Sequence, residues 1–110
     1  IKNNKNPEIY GTGEDLRSFL HVTDISKLIM KATEFKKSNG IINLCNSKSY
    51  SIKQIIGLLI KISKKKKLKI DYIKSKNFKI NYIFDTKKMN NLFKLKFTQI
   101  KDGLYHEYYG

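Results

Sequence analysis

Tyr10-Gly11-Thr12-Gly13-Glu14-Asp15-Leu16-Arg17-Ser18-Phe19-Leu20-His21-Val22-Thr23-Asp24 is the stretch around which the chain is organised. Gly11 and Gly13 flank Thr12 and permit a tight turn, because glycine takes positive φ at little cost. An acidic pair follows, and then Arg17, the only arginine in a chain whose other cationic side chains are lysines. A guanidinium presents a planar fork that binds carboxylates and phosphates bidentately, a geometry lysine cannot copy. Two readings stand side by side. Arg17 grips an anionic ligand, or it forms a structural salt bridge to Glu14 or Asp15.

Outward from this stretch, the elements follow from periodicity and caps. Upstream, Ile1 to Asn6 is a polar lead-in and Pro7-Glu8-Ile9-Tyr10 is a short extended segment before the turn. Downstream, Phe19-Leu20-His21-Val22 is a short apolar strand or extended run. Thr23 or Asp24 is then the N-cap of a helix. Ile25, Leu28, Ile29 and Ala32 give that helix one apolar face. It should fade near Lys37, with Asn39-Gly40 as the stop. Ile41-Ile42-Asn43-Leu44-Cys45 is expected to be a buried strand, which makes the helix an α/β crossover.

Asn46 to Tyr50 is a polar turn, and Ser51-Ile52-Lys53-Gln54 has the form of a capping box. It opens a second helix carrying Ile52, Ile55, Ile56 and Leu59 and ending near Ser63. Leu68, Ile70 and Tyr72 alternate with Lys69 and Asp71, and Phe78, Ile80, Tyr82 and Phe84 alternate with Lys79, Asn81 and Ile83. Periodicity makes 68–73 and 78–84 a hairpin across Lys74-Ser75-Lys76-Asn77. Asp85 or Thr86 caps a short helix with Met89, Leu92 and Phe93. Leu95 to Phe97 is extended, and a last helix from about Thr98 to Tyr109 buries Ile100, Leu104 and Tyr108.

Composition limits the function classes. At 110 residues and 40% hydrophobic, the chain is one domain or a piece of one and can bury a core. The net charge of +14 attracts nucleic acid, acidic membranes or anionic metabolites. The lysines are scattered, and heavy use of Lys, Ile and Asn together is the signature of AT-rich coding drift. Lys64 to Lys67 reads as a solvated loop, since no aromatic residue is interleaved to stack on bases. A single cysteine, Cys45, excludes an internal disulfide and fits a reducing compartment; in a buried strand it is inert. There is no membrane-spanning apolar run and no signal peptide. The first residue is Ile1, which suggests that the N-terminal part of something larger is missing.

No catalytic constellation is complete. His21 and His106 lie far apart, with no metal-ligand spacing, and His21 reads as a satisfied core residue. Gly11-x-Gly13 is neither a dinucleotide fingerprint nor a P-loop. Tyr72-x-x-x-Lys76 straddles a strand and a turn and reads as chance.

Gly11-Thr12-Gly13 followed by Arg17-Ser18-Phe19-Leu20-His21-Val22-Thr23-Asp24-Ile25 resembles a run typical of extended short-chain dehydrogenase/reductases, the NAD-dependent nucleotide-sugar epimerases and dehydratases. Ile42-Asn43-Leu44 before Ser51-Ile52, and Asp85-Thr86-Lys87-Lys88 before Gly103-Leu104, match the family in the same order. The resemblance covers nearly the whole chain and implies only the C-terminal portion of such an enzyme. The fold class it implies is α/β: the C-terminal part of a Rossmann-type NAD(P)-binding fold plus a small α+β substrate-binding lobe. Residues 1–46 would end the Rossmann-type domain, with the nucleotide-sugar-binding turn, and 47–110 would form the lobe.

The resemblance also implies roles. Arg17 would contact the diphosphate of a nucleotide sugar and Phe19 would lie by the nucleotide. Lys74 to Asn77 align with a family loop that carries a second basic residue and an acid, so Lys74 and Asn77 are the remaining candidates for substrate binding. That loop departs from the family's Arg-Pro-Gly-Asp-like pattern, and Ser18 stands where the family commonly has Asp. Family members usually have irregular chain after the loop, against the hairpin. NAD(P) would be bound by residues upstream of this chain, as would the catalytic Tyr-x-x-x-Lys, so the chain alone would be inactive and carry no catalytic, cofactor or metal residues. The whole enzyme would be a cytoplasmic homodimer acting on a nucleotide-diphosphate sugar, without membrane or nucleic-acid partners. Helix 24–37 and strand 41–45 would expose apolar surface without the rest of the sheet, predicting marginal stability or association. The alternatives are a basic module for nucleic acid or another polyanion, and a degenerate remnant that packs on a partner.

Overall fold

In the computed structural model, which describes residues 1–76 and 78–110, eight short elements follow one another: β1 (Glu8–Tyr10), β2 (Leu16–Ser18), α1 (Val22–Thr33), β3 (Ser49–Ser51), α2 (Ile52–Ser63), β4 (Asp71–Ile73), α3 (Lys87–Phe93) and α4 (Ile100–Tyr109). They form two separate two-stranded sheets. β1 pairs with β4 in parallel, with Ile9 opposite Tyr72. β2 pairs with β3 in antiparallel fashion, with Arg17 opposite Tyr50. The result is a mixed α/β arrangement, as the resemblance implies.

The capping box forms as the sequence requires. The Gln54 N–H donates to Ser51 Oγ at 3.1 Å and the Ser51 N–H donates to Gln54 Oε1 at 2.8 Å. α2 ends at Ser63, where Lys64 adopts the left-handed conformation with φ of 59°. The hydroxyl of Tyr109 on α4 donates to the Ile62 carbonyl at 2.7 Å and ties the ends of α2 and α4 together. A second cluster lies between α1 and α3. Leu28, Met89 and Phe93 are buried there, and Leu20, Phe35, Ile42, Leu92, Leu95 and Phe97 pack around them.

α1 and α4 start elsewhere than their sequences suggest, for one shared reason. The N-cap of α1 is His21, whose Nδ1 accepts the Thr23 N–H at 3.4 Å, rather than Thr23 or Asp24. Asp24 is turned inward and only 2% exposed. Its carboxylate accepts the Thr98 N–H at 2.7 Å and the Thr98 hydroxyl at 3.1 Å. Thr98 is thereby committed outside the helix, and α4 begins two residues later at Ile100. α1 also stops early, at Thr33, where the threonine hydroxyl donates to the Met30 carbonyl at 2.6 Å and Phe35 turns onto Phe93.

Three expected elements are corrected. Ile41–Cys45 forms no strand: no partner strand lies beside it among the described residues, and Ile41 is 88% exposed. Tyr50, read as part of a turn, is the centre of β3. The 68–73/78–84 hairpin does not form. β4 pairs with β1, and the chain after it runs instead along the open edge of β2, where the Tyr82 N–H donates to the Leu16 carbonyl at 3.0 Å. The alternation in 78–84 has no counterpart in burial, since all seven residues are exposed.

The molecule is a thin plate of 53 × 33 × 16 Å, with a radius of gyration of 16.8 Å. A compact chain of this length has a radius near 13 Å. Only Leu28 of the expected apolar face of α1 is buried; Ile29 is 54% and Met30 69% exposed. Apolar surface on that scale is what a second layer covers.

Replacing Asp24 with alanine should lower unfolding stability by about 2–3 kcal/mol, the cost of leaving a buried N–H and hydroxyl unpartnered after removing a charged acceptor. Asp24→Asn, which keeps one acceptor oxygen, should cost less. Urea or thermal unfolding of the two variants checks the order. The Cys45 thiol is buried, and its pKa is pushed up, first by burial and then by the Asp85 carboxylate. Since burial favours the neutral thiol, its contribution to stability is present below the unfolded-state thiol pKa and is lost as pH rises through the raised folded value. Iodoacetamide should therefore label Cys45 more slowly in the native than in the unfolded protein at neutral pH, and Asp85→Asn should speed native labelling.

Candidate anion-binding site

Two glycines place the candidate site. Gly11 has φ of 87° and Gly13 of 69°, so both lie in the left-handed region. The Gly11 N–H donates to the Ile73 carbonyl at 2.8 Å, extending the β1–β4 pairing past Tyr10. The Gly13 carbonyl accepts the Lys53 N–H at 2.8 Å and so docks the turn on the first turn of α2. A Cβ on Gly13 would lie 2.9 Å from Ile9 Cδ1 and 3.3 Å from Lys53 Cβ. The chain then leaves into β2 with Arg17 at its centre. A cleft of about 380 Å³ lies beside the turn, bounded by residues 8–15, Ile52, Ser75 and Lys79.

Arg17 is engaged on three sides. Its Nη1 donates to the Leu16 carbonyl at 2.9 Å and to the Ile80 carbonyl at 2.5 Å. Nη2 pairs with Asp15 Oδ2 at 3.4 Å. The guanidinium carbon lies 4.8 Å from the centroid of the Tyr82 ring. Nε has no hydrogen-bond partner among the described residues, and the side chain is 32% exposed. Both readings of the arginine therefore have a structural counterpart: a salt bridge to Asp15 exists, and one edge of the fork is open.

The other candidates are dispersed. Phe19 lines a different cavity, of about 270 Å³, with Leu20, Val22, Ile100 and Leu104, against α4. Lys74 is exposed just after β4. Asn77 lies outside the described residues. Ser18, which stands where an acid is common in the family, exchanges hydrogen bonds with the backbone of Asn46: its hydroxyl donates to the carbonyl at 3.2 Å and accepts the N–H at 2.8 Å. His21 is not a satisfied core residue. Its Nδ1 caps α1, and its buried Nε2 has no hydrogen bond among the described residues, with Glu107 Oε1 at 3.7 Å.

Sequence reasoning missed the segment 79–82. Lys79 pairs with Glu14 at 4.0 Å, Asn81 Oδ1 accepts the Leu16 N–H at 3.2 Å, and Ile80 and Tyr82 touch Arg17. Its alternating pattern was visible, but nothing local says that it follows β2. Among the described residues no group of three or more His, Cys, Asp or Glu is placed to hold a metal ion, and no helix is long and apolar enough to cross a membrane.

No family model matches the chain, and no curated protein does. Solved structures do match. A dTDP-glucose 4,6-dehydratase from Bacillus anthracis, in complex with NAD, superposes with a TM-score of 0.84 at 22% identity, over 98% of this chain and 35% of its own. A UDP-glucuronic acid 4-epimerase from Bacillus cereus, in complex with UDP-glucuronic acid and NAD, gives 0.82 at 30% identity over 97% of this chain and 35% of its own. A UDP-glucose 4-epimerase from Thermotoga maritima, with UDP-glucose, gives 0.82 at 22% identity with the same coverage. The chain thus spans about 35% of the length of each. These are sugar epimerases and dehydratases of the kind that the Gly11–Ile25 run resembles.

Gly13→Ala should destabilise the fold by about 1–3 kcal/mol, since it combines positive φ with a Cβ wedged against Ile9. Gly11→Ala meets only Ser75 Cβ, at 4.0 Å, and should bear the φ cost alone. Parallel thermal melts check that the first loss exceeds the second.

Proposed function

We propose that this chain, which has the fold of the C-terminal part of the extended short-chain dehydrogenase/reductases, binds the diphosphate of a nucleotide sugar through Arg17, as part of an NAD-dependent epimerase or dehydratase. The observation that carries the reading is the Nε, unpartnered among the described residues, of an otherwise pinned guanidinium; Arg17 itself does not line the cleft at the glycine turn. The Nε–H and the neighbouring Nη2–H together match the spacing of two phosphate oxygens, and a phosphate there would share Nη2 with Asp15 or take its place. Lys74 follows β4, whose end is bonded to Gly11, and would approach the same ligand; Asn77 is carried as a candidate on the family resemblance alone. Phe19, two residues beyond Arg17, would flank the nucleotide.

The cofactor belongs elsewhere in the whole enzyme. A dinucleotide cradle needs a glycine turn running from a strand into a helix N-terminus. Gly11-Thr12-Gly13 runs from β1 to β2, so these residues do not fit NAD. Bound to other parts of the protein, NAD would take a hydride from the sugar and return it. This chain's own part is to hold the nucleotide end of the substrate and keep the sugar in register. Residues 1–46 would complete the dinucleotide-binding domain and 47–110 the substrate lobe. The exposed Ile29, Met30 and Ile41 would be covered by the remaining sheet, in a cytoplasmic homodimer.

One observation favours a second reading. From residue 35 to residue 70 the chain has ten lysines and no acidic residue, the charge pattern of a polyanion-binding module. One titration separates the two. Calorimetry with UDP should show binding that Arg17→Lys weakens about tenfold, or roughly 1.4 kcal/mol. Duplex DNA should bind weakly. Tight DNA binding that falls steeply with salt, together with no UDP binding sensitive to Arg17, would establish the polyanion module instead.

A further inference from the structure

We infer that Tyr82 is a positioning residue for Arg17: its ring fixes the plane of the guanidinium so that the Nε edge stays presented to a diphosphate. The inference rests on the diphosphate reading above. It begins from where the ring sits. The guanidinium carbon is 4.8 Å from the ring centroid, inside the range of a cation–π contact. Tyr82 is about half exposed, so burial of its ring in a core does not account for its place.

The ring's support is built into the backbone. The Tyr82 N–H donates to the Leu16 carbonyl at 3.0 Å, and its carbonyl accepts the Ser49 hydroxyl at 3.2 Å. Asn81 Oδ1 accepts the Leu16 N–H at 3.2 Å. The segment is thus bonded to β2 through both backbone groups of Leu16, the residue before Arg17, and reaches β3 at Ser49. The Tyr82 ring also stacks on Phe84, with centroids 6.4 Å apart and planes at 18°. The same segment supplies the Ile80 carbonyl that takes one Nη1 hydrogen.

These contacts divide the guanidinium. One face lies on a ring, Nη1 is spent on two carbonyls, and Nη2 is shared with Asp15. Only the Nε side is without a partner among the described residues. A free arginine has many rotamers to lose on binding an anion; a guanidinium held in plane has lost them beforehand. Tyr82 therefore acts through Arg17 and needs no contact with substrate to affect affinity.

The test is UDP binding by the protein and its variants, with two-dimensional NMR of the Arg17 Nε–H. Arg17 is the only arginine in the chain, so that resonance is unambiguous. Tyr82→Leu should raise the UDP Kd about fivefold and move the Nε–H resonance toward its random-coil position. Tyr82→Phe, which keeps the ring, should stay within about twofold and hold the resonance. Tyr82→Leu should add nothing in an Arg17→Ala background, and circular dichroism should show that both Tyr82 variants are folded. UDP binding that Arg17→Lys weakens but Tyr82→Leu leaves unchanged overturns this inference and spares the diphosphate reading. Failure of the unsubstituted protein to bind UDP overturns that reading and this inference with it.

Discussion

The Asp24 carboxylate, buried and bonded twice to Thr98, is the constraint on which the arrangement depends. It bridges 74 positions of sequence. A carboxylate leaves water at a cost of several kcal/mol unless its lone pairs are met, so Thr98 has to stand where it does. From that contact follow the start of α4 at Ile100 and the closeness of Gly103 to His21, where a Cβ would come within 3.0 Å of the ring. The handover of the α1 cap to His21 follows too. The same contact holds α4 against the exit of β2, and α4 in turn bonds to the end of α2 through Tyr109. The Gly13 carbonyl, bonded to the Lys53 N–H, ties the turn after β1 to the same helix, α2.

What was legible in the sequence is what is local. The Ser51–Gln54 box needs four residues and formed as written, with α2 ending at Ser63. The glycine turn was legible because two glycines so close have few uses. α1 was found but displaced, because Asp24 is a good cap residue whose side chain had a stronger claim elsewhere. The strand at 41–45 and the hairpin failed for a different reason. Neither the apolar run at 41–45 nor the period-two alternation at 78–84 says which strand, if any, the segment will lie beside. Residues 78–84 chose β2, and 41–45 has no neighbouring strand among the described residues. The family resemblance, with irregular chain after the loop at 74–77, was the better guide than periodicity. At the site, Arg17 stood out by being alone of its kind. Its partners Ile80 and Tyr82 could not, since Ile80 lies 63 positions away and both read as ordinary strand residues.

The plate-like shape sets what this part of the fold can do. At 16 Å thick it has room for about two layers, and its small core between α1 and α3 does not extend beneath Ile29 and Met30. Burying an aliphatic side chain of that size contributes roughly 1.5–3 kcal/mol. Native stability as a whole is of the order of 5–15 kcal/mol, so a few such residues left in water are a sizeable share of it. A layer over α1 would add a sizeable share of that stability, independent of any catalytic role. The match to structures roughly three times longer is in keeping with such a layer.

The pairing of Arg17 with Asp15 does not weaken the case for an anion site, and magnitudes decide this. Both side chains are about a third exposed and 3.4 Å apart. Such a pair contributes about 0–1 kcal/mol. A diphosphate brings more negative charge and two oxygens at once, and charge-assisted bidentate contacts are worth more than a single exposed pair. Asp15 can yield or share Nη2 at small cost. The net charge of +14 raises the local concentration of any anion, but a field has no geometry and cannot separate a diphosphate from other polyanions. Geometry enters only where a donor pair is held still. On the proposed reading that place is Arg17, held by Leu16, Ile80 and Tyr82, and the selectivity would come from how firmly they hold it.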